Sequence, residues 1–569
     1  MNIMKNKSDR NLWAIVLACL FVSFALNAQP RVPGQERKPL ENVIYQYRDT
    51  SLSILKRAQN GPQFMIYPDK SLSAAEAEAL VDELGLKAIV NEQSGSIGVF
   101  KPVGATYDNT KDFEAYKKFI DASRVIGNLK IIGFGRGATF VNNIIAPNVN
   151  EVAGIFTYGG KLNTKKADIP VPAYIALGDK KLAQYYIHAN AAKEISKDGQ
   201  HIIYENGDEP LQRVVVGLDK KATRTEAMAD AWKTLLSKNY RYSNFKHTHY
   251  MGATFGQYGP YELEPFTIME EIGIKRIAKK EIICGPDSPS NKPYFWYEYI
   301  PKQCENAAKG TVPMVVMLHG HQNDNRTQSE TSGFVEVAAK EGIILAEIEW
   351  QGLGRDNGSD VGLGLGGIEL VIMNIVHRYP QIDPSRIYCQ GLSAGAMHSA
   401  ALGIDKSYLF AAVASHSGGI FDMPVYTFSY ETLLRNALQK RGHVETAYFL
   451  TVGTDDDTIG FPKEGKSNGS PYYNALNLYA TLNDMPAVQI DFHAEPIIGV
   501  KLENRQTIET NKHITLETGN LCKNGIPMMQ FTAIMHYGHW NFRPMAQRMW
   551  DFFKHYSRDL ETGKLTYHS

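Results

Sequence analysis

A serine held between two glycines is the first group in this chain able to do chemistry. Gly391-Leu392-Ser393-Ala394-Gly395 follows a short strand-type run, 386–389, and precedes a helix-type stretch, 396–402. Strand, sharp turn and helix is the setting in which G-x-S-x-G lifts a serine above a sheet edge. The helix N-terminus behind the turn favours developing negative charge. Ser393 is the candidate nucleophile, and a plain turn is the competing role of the pentapeptide. A serine hydroxyl is a weak nucleophile until a base takes its proton. With this turn the chain order is serine, acid, histidine. The late histidines are His536 and His539, in a loop between a strand-type run, 529–535, and a helix-type run, 545–555. His539 follows a glycine, which suits a tight exposed loop, and is the candidate base, with His536 its substitute. The acid should end a strand between the two. The run 447–452 leads into Gly453-Thr454-Asp455-Asp456-Asp457. Three adjacent carboxylates cannot all point at one imidazole. Asp456 is the candidate, and Asp455 and Asp457 are left to cap the turn or face solvent. An oxyanion site needs two preorganised backbone N–H groups. Ala394 supplies one, and His321 or Gln322, in the turn His319-Gly320-His321-Gln322 after the run 314–318, supplies the other. His319 and His321 also form an H-x-H pair, but no third metal ligand stands near them in the sequence.

These groups need a sheet to hold them. Apolar strand-type runs alternate with helical patterns through most of the chain. In the first half they are 63–67, 130–133, 152–158 and 173–177, with an amphipathic helix over 73–86 opened by Ser73 and Glu76 as a capping box. The runs 314–318, 343–348, 386–389, 411–415 and 447–452 continue the pattern in the second half. Such alternation predicts an α/β fold, with mostly parallel sheets covered by helices on both faces. The turn-rich stretch 285–291 reads as a break between the halves or as a hairpin loop inside the second, and the boundary is set near 265, giving domains 30–265 and 266–569.

The second half, roughly 295–560, resembles the secreted α/β-hydrolases of the polyhydroxybutyrate depolymerase and feruloyl esterase group. The resemblance rests on Ile382-Asp383-Pro384-Ser385-Arg386-Ile387-Tyr388 before the Ser393 turn, and on Met317-Leu318-His319-Gly320, Gly453-Thr454-Asp455-Asp456 and Gly538-His539-Trp540, in that order. It implies an acid at the second residue after Gly-Thr, which supports Asp456. Prolyl-oligopeptidase-type peptidases share a similar approach to the nucleophile. The chain departs from the group in carrying His321 where the oxyanion loop often has a cysteine, and in the 83 residues between Asp456 and His539.

The first half reads as a second hydrolase-like domain without its nucleophile. Lys130-Ile131-Ile132 leads into Gly133-Phe134-Gly135-Arg136-Gly137, so Gly135 takes the place of Ser393. Val152 to Gly160 parallels Ala411 to Gly419, Ala173 to Asp179 parallels Ala447 to Asp455, and His249-Tyr250 parallels His536-Tyr537. Four blocks in one order favour an internal duplication. Gly133-x-Gly135-x-x-Ala138 also fits a dinucleotide fingerprint, but the next strand ends in Tyr158-Gly159-Gly160-Lys161 without the required carboxylate.

The first 28 residues carry a basic start (Lys5, Lys7, Arg10), an apolar run and Ala28 at a small-residue end, the pattern of an export signal. Secreted or periplasmic placement, with no membrane span after its removal, is expected. Removing it leaves 57 positive and 59 negative groups, a balance that gives no electrostatic case for a nucleic-acid partner. Cys284, Cys304, Cys389 and Cys522 remain, without a CxxC or a Cys/His quartet. The expected activity is ester hydrolysis through an acyl-enzyme, with no metal or organic cofactor and with a polymeric or carbohydrate-linked ester as substrate. A serine peptidase, or a carbohydrate- or partner-binding protein with a vestigial site, are the alternatives.

Overall fold

The computed structural model describes residues 42–569 except 49–60, 124–127, 166, 242–262, 284–292, 322, 324, 352–362, 422–428, 441–443, 457–458, 463–469 and 511–513. The expected export segment, Gln322, Asp457, Cys284 and His249-Tyr250 lie outside the described residues. Among the described residues no helix is long and apolar enough to cross a membrane.

The first half builds one nine-stranded sheet. Its strands are β1 (Val43–Tyr47), β2 (Gln63–Tyr67), β3 (Ser96–Phe100), β4 (Leu129–Phe134), β5 (Val152–Tyr158), β6 (Ala173–Ala176), β7 (Lys193–Lys197), β8 (His201–Glu205) and β9 (Arg213–Gly217). Their spatial order is β1-β3-β2-β4-β5-β6-β9-β8-β7. The six strands from β3 to β9 in that order run parallel, and β1, β8 and β7 are antiparallel additions. Side chains alternate across the pleat. Met65, Ile131 and Ile155 enter one apolar cluster, while Phe64, Ile66, Ile132 and Phe156 enter another on the opposite face. A sheet buried on both faces accounts for the continuous apolar runs read in the sequence.

A two-stranded ribbon follows, β10 (Asn239–Arg241) with β11 (Leu263–Pro265). The second half then forms a ten-stranded sheet. Its strands are β12 (Ile274–Glu281), β13 (Tyr294–Pro301), β14 (Val312–Leu318), β15 (Ile344–Ile348), β16 (Ile382–Leu392), β17 (Ala412–His416), β18 (Ala447–Gly453), β19 (Glu503–Glu509), β20 (Thr515–Lys523) and β21 (Ile526–Ile534). They lie in the order β12-β13-β15-β14-β16-β17-β18-β21-β20-β19. Without β12 this is the first sheet again, strand for strand and direction for direction: an antiparallel edge, six parallel strands and an antiparallel pair. Both halves are α/β folds of one topology, as the sequence predicts.

The differences from expectation have local causes. The helix expected over 73–86 is two helices, Ala74–Glu83 and Leu86–Gln93, separated by Gly85 at φ 70°. That backbone conformation is open to glycine and ends a helix. The strand expected at 386–389 spans Ile382–Leu392. Its first residues are polar, with the Asp383 carboxylate accepting from Ser385 and Arg386, so hydropathy does not mark them. The edge strands β7 and β19 carry few apolar side chains and are almost wholly exposed, which leaves no buried face to read. The long segment between Asp456 and His539 contains helix Pro471–Leu482 and the β19–β20 hairpin that extends the sheet.

Candidate active site

Ser393 stands at the turn between β16 and helix Ala394–Asp405, at φ 56° and ψ −118°. A non-glycine residue rarely adopts this region, and such strain persists only where the surroundings enforce it. Here they do. A Cβ on Gly391 would collide with the Gly395 backbone, and one on Gly395 with the Leu318 carbonyl of the neighbouring strand. The Ser393 N–H donates to the His416 carbonyl at the end of β17, at 2.9 Å. Ser393 is half-buried, and Ala394 behind it is buried. The Ala394 N–H is the first amide of its helix, one of those without an intrahelical acceptor.

Asp456 follows β18 and His539 follows β21, two strands paired in parallel, and the two side chains meet. His539 Nδ1 lies 2.7 Å from Asp456 Oδ2, and both residues are buried. The second carboxylate oxygen accepts the Ile459 N–H at 3.0 Å. Asp455 turns the other way: its carboxylate lies 3.9 Å from Nδ1 of His536, whose side chain is 83% exposed. Of the two neighbours, Asp456 and not Asp455 meets the buried histidine. The loops that carry them are fastened together, with the Asp455 N–H donating to the Tyr537 carbonyl at 2.9 Å and the His536 N–H to Thr454 Oγ1 at 2.8 Å.

His416 was not singled out by the sequence, yet it touches both sides of this arrangement. Its carbonyl holds Ser393, and its Nε2 accepts the Phe542 N–H at 3.2 Å, three residues beyond His539. Burial, reinforced by nearby His539, pushes its pKa down to about 3, with Asp456 opposing. The imidazole is therefore neutral, an acceptor at Nε2 and a donor at Nδ1 toward Ser417. No residue pattern marks this role, because His416 ends an apolar strand and meets Phe542 across 126 residues.

After β14 the chain turns through His319, Gly320 and His321 beside the Ser393 turn: a Cβ on Gly320 would lie 3.5 Å from Cβ of Ser393. His319 is buried, with Nδ1 2.8 Å from the Gly320 carbonyl and Nε2 3.2 Å from Glu349. Trp350 stacks on His319 and donates from Nε1 to its carbonyl at 2.7 Å. His321 is exposed and its Nδ1 meets the Gln351 amide at 2.6 Å. His319 and His321 thus engage different partners, and among the described residues no group of three or more His, Cys, Asp or Glu is arranged to hold a metal ion. Among the described residues Cys304, Cys389 and Cys522 form no disulfide with one another. Helix Asn325–Ser332 follows, eight polar residues that are all buried. Several of them bond to buried partners: Gln328 and Asn541 exchange amide hydrogen bonds at 3.0 and 3.2 Å, and Ser329 donates to Glu347 at 2.6 Å. Hydropathy cannot identify such a helix as core, since its burial depends on partners distant in sequence.

The first half repeats the turn without the serine. Gly135 has φ 52° and ψ −110°, nearly the angles of Ser393. A Cβ there would collide with the Asp69 carboxylate, which accepts the Arg136 N–H at 2.8 Å. Arg136 is the counterpart of Ala394, so the protein's own carboxylate sits on the amide that corresponds to the candidate oxyanion donor. Strand register also shifts the expected correspondences. Thr157 pairs with Ile175 as Ser415 pairs with Leu450, which sets Asp179 opposite Thr454, one position short of Asp455. Asp179 instead caps helix Lys180–Ala189 through the Leu182 N–H at 2.8 Å. The strand matching β21 is β9, and the residues after it, 218–223, contain no histidine. The counterpart of the His539 loop therefore follows β9 rather than lying at His249-Tyr250.

Neither a protein-family model nor a curated protein sequence matches this chain. Among solved structures similar to it, the acetyl xylan esterase from Aspergillus awamori is 14% identical, covers 49% of this chain and 99% of its own, and has a TM-score of 0.34. A ferulic acid esterase is 14% identical over 49% of this chain and 97% of its own, with a TM-score of 0.32. An S-formylglutathione hydrolase from Agrobacterium tumefaciens is 11% identical over 50% of this chain and 95% of its own, with a TM-score of 0.31.

Proposed function

We propose that this chain is a serine esterase whose second half, 266–569, carries the active site and whose first half, 30–265, is inert in acyl transfer. The observation that carries the reading is the buried Asp456–His539 pair at 2.7 Å, on the strands that follow the one bearing the strained Ser393 turn. Ser393 Oγ attacks the ester carbonyl while His539 Nε2 takes its proton. Asp456 holds the imidazole by Nδ1 and stabilises the imidazolium that forms. The N–H of Ala394 and that of His321 or Gln322 receive the tetrahedral oxyanion. Collapse breaks the ester C–O bond, and His539 returns the proton to the leaving alcohol. Water, deprotonated by His539, then cleaves the acyl-enzyme and frees the acid. No step calls for a metal or an organic cofactor.

Family resemblance in the sequence points to hydroxyalkanoate esters or acyl groups on polysaccharide as substrates, met outside the cytoplasm after removal of residues 1–28. Ser393→Ala should lower ester turnover by several orders of magnitude with little change in stability, because triad groups act as a unit and Oγ packs against little. The assay is a panel of p-nitrophenyl esters, feruloyl and acetyl xylo-oligosaccharides and peptide amides, with fluorophosphonate labelling of the serine. Turnover retained within about tenfold in Ser393→Ala sinks the nucleophile assignment. Cleavage confined to the peptide amides would make the protein a peptidase instead.

A further inference from the structure

A series of buried polar bonds runs from the first sheet to the loop that carries His539. It starts at β4, where the buried Lys130 donates to the Asn239 carbonyl of β10 at 2.6 Å. Asn239 donates to the Ala153 carbonyl of β5 at 2.6 Å, and Arg241 donates to the carbonyls of Val152 at 3.0 Å and Pro170 at 2.7 Å. Three buried polar side chains thus fix one short strand to the sheet. β10 pairs with β11, with Tyr240 opposite Glu264. Glu264, itself buried, lies 3.1 Å from Nε of Arg543, and Nη1 of Arg543 lies 3.5 Å from the Tyr240 hydroxyl. The same guanidinium pairs with Glu336 and donates to the Glu330 carbonyl at 3.2 Å.

Arg543 closes the segment His539-Trp540-Asn541-Phe542-Arg543 that leads into helix Pro544–Phe553. Each neighbouring residue in this segment has its own fastening. Tyr537 donates to the Asn541 carbonyl at 2.8 Å, Asn541 exchanges bonds with Gln328, and Phe542 donates to His416. The Arg543 backbone packs against Gly333, at φ 88°, where any Cβ would collide with the Arg543 carbonyl. Buried ions are costly to desolvate and tolerate little movement once paired. A largely buried guanidinium shared between two halves therefore fixes the end of the loop relative to both.

We propose that the β10–β11 ribbon is a bracket through which the inert first half holds the His539 loop in register, with Arg543 as the positioning residue. The proposal rests on the reading of His539 as the general base. It gives the first half a role that needs no catalytic group of its own: a ribbon fixed to one sheet sets the geometry at the mouth of the other. Small misplacements of a base cost rate far more than they cost binding.

The test uses the full chain with Glu264→Gln, which keeps the shape and removes the charge, and Tyr240→Phe, which removes one hydroxyl. Glu264→Gln is expected to lower kcat roughly tenfold with KM within about twofold. Amide hydrogen exchange is expected to quicken in 537–543 while β4 and β5 stay protected. Tyr240→Phe should move both readouts in the same direction by less. An unchanged kcat and unchanged exchange in 537–543 for Glu264→Gln would overturn the bracket. Faster exchange throughout the first sheet as well would also overturn it, by reducing the pair to general stability. If the parent protein neither hydrolyses esters nor labels with fluorophosphonate, the hydrolase reading fails, and the local exchange response still decides whether the ribbon holds the loop.

Discussion

Asp455 and Asp456 are neighbours in the chain and meet different histidines, because successive residues leaving a strand point to different sides. Asp456 reaches the buried His539 at 2.7 Å, and Asp455 sits 3.9 Å from the exposed His536. On the proposed mechanism, an amide at 456 would lose the charge that stabilises the imidazolium and would favour the wrong imidazole tautomer. Asp456→Asn should therefore cut kcat by up to about 10⁴-fold, with partial recovery at high pH as the histidine is forced neutral. Asp455→Asn loses a pair exposed to water and should cost no more than about tenfold. Stopped-flow or steady-state ester kinetics across pH separates the two. A steep loss at Asp455 with a near-normal Asp456→Asn would move the acid by one position.

The two strand-to-helix turns share a backbone and differ in the groups around it. Gly135 and Ser393 share a left-handed backbone, and Gly137 and Gly395 each sit where a Cβ would strike the carbonyl of the neighbouring strand. Around the first turn, however, Asp69 fills the space a side chain at 135 would need and occupies the Arg136 N–H. A carboxylate on that amide repels a developing oxyanion rather than stabilising it, and no histidine follows β9 within 218–223. Gly135→Ser should thus gain no fluorophosphonate labelling at position 135. It should also lose stability, since the new side chain must displace Asp69. Peptide mapping of the labelled serine in the full-length variant reads the outcome, and label at 135 would contradict an inert first half.

Across the whole molecule, buried titratable groups shape the response of each half to acid. Burial pushes His398 down to about 4 and His416 down to about 3, from an ordinary 6.5. A depressed histidine contributes stability that is present above its unfolded value and lost as pH falls toward its folded one. Each should cost about 1.4 kcal/mol per pH unit below about 6.5. In the first half, burial raises Glu151 to about 7, against a 2.5 Å hydrogen bond from Tyr116 that opposes the shift. A raised carboxyl acts in reverse, costing stability as pH rises from about 4.5 to about 7. Lowering the pH from about 7 to about 5 should lower amide protection factors, corrected for the intrinsic pH dependence of exchange, in β16 and β17. In β4 the buried Lys130 is held well below the ordinary lysine value by desolvation and opposes Glu151. Glu151→Gln removes the opposing group and should make protection in β4 and β5 fall more on acidification than in the parent. An unchanged acid response in Glu151→Gln would show that other groups govern acid stability there.

The sequence by itself determined the α/β class and the Ser393 turn, and it narrowed the partners to three adjacent aspartates and two late histidines, with Asp456 and His539 as the candidates. Each rests on local pattern: apolar strand runs, glycines at fixed offsets, and polar residues where strands end. It also showed the duplicated order of blocks and the glycine standing in for serine. Tertiary structure alone decided the rest. Which of two adjacent aspartates meets the histidine depends on the direction of a side chain leaving β18. The true counterpart of the His539 loop in the first half depends on strand order, since β9 lies beside β6 although β7 and β8 intervene in the chain. Helix Asn325–Ser332 is core in spite of eight polar residues, because its partners come from Glu347 and from Asn541 across 213 residues. The ribbon that ties Lys130 to Arg543 is invisible in one dimension for the same reason: its hydrogen bonds join groups that only folding brings within 3 Å or so of each other.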